Sequence, residues 1–257
     1  MVAVLGEYVA PENSTVPQAI LVKALGALGH SPAAVRQAIS RSAREGALTT
    51  TRRGGGAVVE LREQARVMLL RGAKALDTPA DDTDWDGLWS VFVVRTQGQD
   101  QRSRYRLRTS MLLEGLGYLG NGVWLAPHRR FHDEILSALS AEPGTEVTVL
   151  SSRIEHPEVL DVVERAWDLD AIAQRYDRFI DEFDQRAPTT DQEFFAAWTE
   201  LVHAWRECVI TEPGLPAEVL RPDWPRDRGR ELVVARRATW RAPAHAFFTT
   251  LAENTAQ

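Results

Sequence analysis

Apolar residues recur at helical spacing through the first part of the chain, and glycine or proline marks where each run begins or ends. This pattern predicts three helices, at residues 2–8, 17–28 and 32–45. The third is the best delimited, because Ser31 suits the N-cap, Pro32 suits the first helical position and Gly46 is a typical C-terminal stop.

Two short extended runs follow these helices, at Ala47–Thr51 and Ala57–Leu61. The segment Arg52-Arg53-Gly54-Gly55-Gly56 joins them, and its glycines supply the positive φ that a hairpin turn requires. A fourth helix is predicted over Arg62–Leu76. The order of three helices, strand, wing and strand is that of a winged helix-turn-helix, so we predict this N-terminal domain at residues 1–77.

Beyond a polar, proline-containing linker at 78–84, extended and helical runs alternate. Strands are predicted at 89–94, 123–126 and 147–151, and helices at 101–114 and 128–140. This order indicates a small α/β sandwich at 85–153 with both helices on one face of its sheet. Only amphipathic helical runs remain in the C-terminal domain predicted at 156–257, namely 168–183, 191–210 and 228–252. The predicted class is therefore α+β and multidomain.

Composition excludes several classes of protein. With 44% hydrophobic and 26% charged residues, the chain is neither collagen-like nor of low complexity. A single cysteine, Cys208, excludes an intramolecular disulfide framework and a cysteine-based zinc site. No stretch approaches the roughly 20 apolar residues of a membrane span, and no basic segment precedes a long apolar run at the start. We therefore expect a cytoplasmic protein with no membrane partner.

The charge is distributed unevenly along the chain. The whole chain has a formal net charge of −6, yet residues 1–77 contain 10 Lys+Arg against 6 Asp+Glu and are therefore positive by 4. Such asymmetry favours a polyanion as the partner of the N-terminal domain.

The predicted third helix separates small and basic side chains. At about 100° per residue, one arc is small or apolar, and the opposite arc consists of Arg36, Gln37, Ser40, Arg41 and Arg44. Arginine can donate two hydrogen bonds to guanine, glutamine can pair with adenine, and serine can bond to phosphate or base in the major groove. Arg52 and Arg53 at the wing tip would reach the adjacent backbone or minor groove. The alternative, a solvated basic face, is disfavoured by the position of this helix between a short turn and a basic hairpin.

Three further motifs do not support catalysis. Gly115-Leu-Gly-Tyr-Leu-Gly120 fits G-x-G-x-x-G, but a predicted helix precedes it and a strand follows, so tight turns are favoured over nucleotide binding. His128 and His132 have the spacing of a metal pair without a third ligand, and Cys208 has no adjacent base beyond His203. No catalytic residue, cofactor or metal ion is therefore predicted.

Aromatic residues in the C-terminal domain suggest a ligand site. The four residues concerned lie within about two turns of one predicted helix and are Trp198, His203, Trp205 and Arg206. Aromatic faces with a cation suit an anionic aromatic ligand. The alternative for the same residues is a packed helical core with an amphipathic rim.

Short stretches in a fixed order resemble the PaaX family of bacterial transcriptional repressors. They are Leu5–Val9, Ser31–Arg41, Glu45-Gly46, Trp85–Trp89, Gly115–Pro127, Trp167–Leu169, Tyr176, Leu201–Arg206, Glu212–Pro216 and Asp223–Pro225. The resemblance implies a winged-helix DNA reader, a middle ferredoxin-like domain similar to the Cas2 fold, and a helical C-terminal domain. It also implies a homodimer, repression of a catabolic operon, and release by an aryl- or acyl-CoA thioester such as phenylacetyl-CoA.

We therefore expect a ligand-responsive repressor that binds double-stranded operator DNA and is not an enzyme. The alternative is a divergent family member that acts as an enzyme or small-molecule binding protein on a thioester or aromatic substrate, without DNA binding. Replacement of His128 or His203 would test that alternative. A nuclease is disfavoured, because the first strand of the middle domain ends in Val94-Arg95-Thr96 without an acidic metal ligand.

Overall fold

The computed structural model forms two compact units, each assembled from separate stretches of the chain. Unit 1 consists of Met1–Thr78, Arg178–Arg206 and Asp227–Gln257, and unit 2 of Pro79–Asp177 and Glu207–Arg226. The structure describes residues 1–12, 15–74, 85–96, 101–127, 135–136, 139, 144–156, 158–210 and 212–256.

The N-terminal part of unit 1 combines helices with an antiparallel sheet of strand order β1-β3-β2. Its elements are α1 (Val2–Val4), a π-helix (Leu5–Val9), β1 (Thr15–Pro17), α2 (Gln18–Ala27), α3 (Pro32–Arg44), β2 (Leu48–Arg53), β3 (Gly56–Leu61) and α4 (Glu63–Lys74). The helix α3 packs on α2 and on β2.

Local sequence signals determine both ends of α3. The Ser31 hydroxyl accepts a hydrogen bond from the backbone N–H of Ala34 at 3.2 Å, and Pro32 occupies the first helical position. Gly46 follows the C-cap residue with φ at 81°. The predicted third helix is confirmed, with its end at Arg44 rather than Glu45.

Two N-terminal features differ from the predictions. The opening helix is α-helical only over Val2–Val4 and continues as the π-helix, in which all five residues are buried. The predicted start of the second helix at Pro17 is wrong, because this residue ends β1 and the helix begins at Gln18. A strand of three residues gives too short a pattern to be recognised, and proline is tolerated in β1 because β1 is an edge strand of its sheet.

Unit 2 contains an antiparallel sheet of strand order β5-β6-β4-β7. In chain order its elements are β4 (Trp89–Thr96), α5 (Gln101–Leu113), β5 (Gly117–Gly120), β6 (Val123–Ala126), β7 (Thr145–Ser152) and α6 (Val159–Ala166). Phe92, Trp124 and Met111 form its core together with Ile135 and Leu139. The predicted strands are confirmed, whereas β5 was not predicted because two of its four residues are glycines.

Two predictions for the middle region fall on residues that the structure does not describe. The linker at 78–84 lies outside the described residues, as does most of the helix predicted at 128–140.

Long helices make up the remainder of the chain. They are α7 (Leu169–Asp184), α8 (Asp191–Ile210) and α9 (Arg226–Ala256), and a short 3-10 helix lies at Ala217–Val219. The predicted helical character of this region is confirmed, and α9 continues through Pro243. In the described ranges, no helix has both the length and the apolar character needed to cross a membrane.

Candidate nucleic-acid interface

The helix α3 has one buried and one exposed face. Val35 and Ile39 are 2% and 3% exposed and anchor the helix in the core of unit 1. All five residues of the basic arc are exposed, namely Arg36, Gln37, Ser40, Arg41 and Arg44. Within the described part of the chain, none of these five side chains forms a hydrogen bond or an ion pair. The five polar and basic groups are therefore directed to solvent on one side of α3.

The β2–β3 hairpin exposes two further arginines. Gly54 and Gly55 form its turn with φ at 56° and 83°, and two consecutive positive values are those of a type I′ turn. Arg53 pairs with Gly56, and Arg52 pairs with the following residue of β3, so both arginines lie at the end of the ladder. Both are exposed. The backbone therefore places two cations at the tip of the hairpin.

The four aromatic and basic residues predicted to bind an effector do not share one face of α8. Trp198 and Trp205 are 1% and 4% exposed and belong to the core of unit 1. Trp205 packs against Phe179, with 5.4 Å between the ring centroids. His203 is exposed and Arg206 is half-buried. The structure therefore brings the two tryptophans into the core and leaves the histidine outside it, and the effector-binding assignment stays a prediction.

A buried acid that sequence reasoning missed lies beside Trp198. Glu7 is 6% exposed, and its Oε1 accepts hydrogen bonds from Trp198 Nε1 at 3.0 Å and Arg241 Nε at 2.7 Å. Nε2 of His245 lies 2.9 Å from the same oxygen. Burial raises the pKa of Glu7, but the hydrogen bonds from these three side chains outweigh it and hold the pKa below its ordinary value. Glu7 is therefore charged and surrounded by donors.

The next residue of the π-helix makes a second contact with the same helices. The Tyr8 hydroxyl donates to Thr199 Oγ1 at 3.0 Å, because Thr199 donates its own proton to the backbone oxygen of Phe195. The Tyr8 ring stacks on Phe248 and lies 4.8 Å from the ring of His245. Burial raises the pKa of Tyr8. Residues 7 and 8 thus join the N-terminal segment to both α8 and α9.

Comparison with known proteins identifies the family. The models described as PaaX-like protein, PaaX protein central Cas2-like domain and PaaX-like protein C-terminal domain match residues 1–65, 82–161 and 167–250. The chain belongs to the PaaX-like family. The predicted family is therefore confirmed, together with the Cas2-like character of the middle region.

Two relatives of this PaaX-like chain cover most of its length. Transcriptional repressor PaaX of Escherichia coli (strain K12) is 25% identical over 228 residues, which cover 83% of this chain and 71% of the relative. The structure of the uncharacterized protein Rv0674 from Mycobacterium tuberculosis is similar with a TM-score of 0.63 and 25% identity, covering 96% of this chain and 97% of that one. The PaaX family is one of transcriptional repressors, not of enzymes.

A second buried carboxylate holds unit 2 of the PaaX-like chain together. Glu212 accepts a hydrogen bond from the Tyr176 hydroxyl and lies 3.0 Å from Nη1 of Arg226. The Glu212 and Arg226 side chains are 8% and 14% exposed. Burial, and then the charge of Glu212, raise the pKa of Tyr176. Tyr176 and Glu212 both belong to stretches that carry the family resemblance, and both are part of the core.

The glycine-rich motif of the PaaX-like chain combines a turn at Gly115 with strand β5, so the predicted tight turns are confirmed only in part. Gly115 and Gly120 adopt φ of 81° and 101°, and Gly117 lies within β5. Cys208 is buried, whereas the histidines at 128 and 132 lie outside the described residues. Among the residues that are described, no group of three or more His, Cys, Asp or Glu side chains is placed to hold a metal ion.

Proposed function

We propose that this chain is a sequence-specific DNA-binding repressor that reads its operator with a winged helix-turn-helix at residues 1–77. In this assignment α2 is the first helix of the motif and α3 the recognition helix. The turn between them contains Gly29 with φ at 84°. The β2–β3 hairpin is the wing. The middle domain at 85–153 and the C-terminal domain at 156–257 complete the proposed organisation.

The outward face of α3 is the observation that carries this proposal. The helix contains three arginines and no acidic residue, and all three arginines are exposed. Arginines elsewhere in the chain form ion pairs with the protein's own acids, as in Arg186–Glu200, Arg226–Glu212, Arg236–Asp184 and Arg241–Glu7. Three cations on one helix face, without acids on that helix, fit the anionic surface and guanine edges of a duplex.

Each predicted residue has a distinct role in this proposal. Arg36 and Gln37 lie in the first half of α3, whose N-terminal residues contact base edges in helix-turn-helix proteins, and Ser40 lies on the same face about one turn further along. Arg41 and Arg44 follow on the same face and extend the contact along the groove or to phosphate. At the wing tip, Arg52 and Arg53 contact the backbone or the minor groove.

Direct binding to DNA from upstream of the gene that encodes this chain tests the assignment. We expect Arg41→Ala to weaken binding to that duplex by about 10-fold or more. The slope of the logarithm of the binding constant against the logarithm of the salt concentration should become shallower by about 1. Its unfolding transition should stay unchanged, because Arg41 is exposed. Arg165→Ala, an exposed arginine of α6 that is flanked by Glu164, is the matched control. Equal affinity and salt slope for wild type and Arg41→Ala would remove α3 from the interface.

The proposal includes a homodimer and an effector that lowers operator affinity, with an aryl- or acyl-CoA thioester as the effector class. The family membership supports both parts. A DNA-binding dimer with two-fold symmetry binds two half-sites that are related by the same symmetry. The upstream duplex should therefore contain an inverted repeat. Sedimentation velocity tests the dimer. Titration of phenylacetyl-CoA, acetyl-CoA and free CoA into the protein–DNA complex tests the effector, and release by none of them would exclude this class.

A further inference from the structure

We propose that Glu7 is a positioning residue for DNA recognition, through which α8 and α9 control the placement of the DNA-reading helix. This inference rests on the proposed function and concerns regulation of the same interface. One carboxylate oxygen takes hydrogen bonds from Trp198 of α8 and Arg241 of α9, and lies within 2.9 Å of His245. The N-terminal segment is thus held by side chains that lie about 190 or more residues away in the sequence.

A series of direct contacts connects the π-helix to the hairpin. Gly6 lies next to Leu69 of α4, and a Cβ at Gly6 would be in ordinary van der Waals contact with the leucine side chain, at 3.5 Å. The Arg66 guanidinium, also on α4, donates to the backbone oxygen of Ala10 at 3.1 Å. Since α4 directly follows β3, a shift of the π-helix displaces the base of the hairpin.

A second route leads from the π-helix to α3. The chain after the π-helix enters β1, which pairs with β3 and then leads directly into α2. The recognition helix packs on α2 and β2 through its buried face. Apart from residues 13 and 14, which lie outside the described residues, both routes run through elements that contact one another. The position of α3 therefore depends on where the π-helix is held.

The burial of Glu7 makes this connection sensitive to its partners. A buried carboxylate is tolerated when donors surround it, and it becomes costly when one donor is withdrawn. If α8 or α9 moves Trp198 or Arg241 away, Glu7 must follow its partners or leave the core. We call Glu7 and its three partners, Trp198, Arg241 and His245, the Glu7 cluster. The Glu7 cluster therefore favours one placement of the DNA-reading helix when all three partners are in contact with Glu7, and another placement when one of them is withdrawn. An effector that changes the packing of α8 or α9 would act on DNA affinity through this cluster.

Two variants of different severity test the proposal. Trp198→Phe removes one donor while keeping most of the ring, and Glu7→Gln removes the charge at nearly constant volume. With the duplex from upstream of the gene, we expect operator affinity to fall about 10-fold for Glu7→Gln and by a smaller factor for Trp198→Phe. Affinity for a random duplex of equal length should change little, because non-specific binding depends on the number of exposed cations. All titrations use full-length protein that is shown to be folded by circular dichroism.

A matched control separates positioning from stability. Glu212→Gln changes another buried carboxylate, held by Tyr176 and Arg226 in unit 2, and should lower the unfolding temperature without changing operator affinity. A double-mutant cycle between Glu7→Gln and Arg241→Met should show coupling in operator affinity as well as in unfolding. If Glu7→Gln and Trp198→Phe bind the operator as wild type does, Glu7 has only a structural role. If the wild type itself shows no preference for the upstream duplex, the proposed function fails instead.

Discussion

Trp167 lies across the backbone of Gly117 so closely that a Cβ at Gly117 would come within 2.6 Å of two carbons of the indole ring. The same indole donates from Nε1 to the backbone oxygen of Gly115 at 3.1 Å. The centroid of the Trp167 ring lies 6.0 Å from that of Trp89. The glycine motif and two tryptophans from separate stretches of the family pattern therefore form one packed cluster in unit 2.

This contact predicts that Gly117→Ala destabilises the protein. The added methyl would overlap the Trp167 ring and the Ala166 side chain, and such overpacking costs about 1–3 kcal/mol of unfolding free energy. Urea denaturation followed by circular dichroism measures the change. Gly26→Ala in α2 is the control, because no described atom outside the adjacent residues and the backbone of α2 lies within 4 Å of its Cβ position, and alanine is favoured over glycine in a helix by about 0.8–1 kcal/mol. A Gly117→Ala protein as stable as wild type would contradict the packing described here.

The elements that were predicted well are those whose signals are local. The caps of α3 lie within a few residues of its ends, at Ser31, Pro32 and Gly46. The glycines of the hairpin turn are likewise adjacent to the strands that they join. The exposed arc of α3 followed from helical periodicity alone, since a helix with a small apolar face must bury that face. DNA binding by this arc stays a prediction.

The Glu7 cluster was not predicted because its contacts are distant in sequence. Glu7 and Trp198 are 191 positions apart, and His245 is 238 positions from Glu7. Periodicity reports which residues are buried on one element and does not report which element covers them. An acid among the apolar residues 2–10 was the available signal, and its interpretation requires the tertiary structure. For the same reason the aromatic pattern of α8 does not indicate that the indole N–H of Trp198 donates to Glu7.

The Glu7 cluster predicts a loss of stability in acid. The pKa of Glu7 is held below its ordinary value of 4.5 in the folded protein, so its contribution is complete above that value and is lost as the pH falls through the folded pKa. We expect the unfolding free energy of wild type to fall below about pH 4.5, and that of Glu7→Gln to fall less. Urea titrations at a series of pH values measure both. Hydrogen bonds from Thr189 and Thr190 also lower the pKa of Glu193, so Glu193→Gln shows how much of the remaining slope belongs to that exposed group. Identical slopes for wild type and Glu7→Gln would contradict the prediction.

The Tyr176–Glu212 contact predicts a loss of stability in alkali. Burial and the neighbouring carboxylate raise the pKa of Tyr176 in the folded protein above the ordinary value of 10.0. The unfolded chain releases this proton first, so stability is complete below pH 10 and falls as the pH rises above it. We expect Tyr176→Phe to be less stable by about 1 kcal/mol near neutral pH, because Glu212 loses a donor, but to show a shallower alkaline decline. Denaturation at pH values from neutral to alkaline measures both effects. If the unfolding free energy of Tyr176→Phe falls with pH as steeply as that of wild type, the alkaline decline belongs to other groups, such as Tyr8.

The turn between β2 and β3 predicts which wing variants keep DNA affinity. Gly54 has φ at 56°, a conformation that asparagine adopts readily and a β-branched residue does not. Outside the adjacent residues, no atom of the described part of the chain lies within 4 Å of its Cβ position, so an effect of substitution arises from the backbone and not from a clash. We expect the affinity of Gly54→Asn for the upstream duplex to lie within about twofold of wild type. The affinity of Gly54→Val should be about 10-fold lower, because valine shifts the turn that positions Arg52 and Arg53. Fluorescence anisotropy on one duplex compares the three proteins. If the valine variant binds as tightly as the asparagine variant, the tip of the hairpin does not contact DNA in the conformation described here.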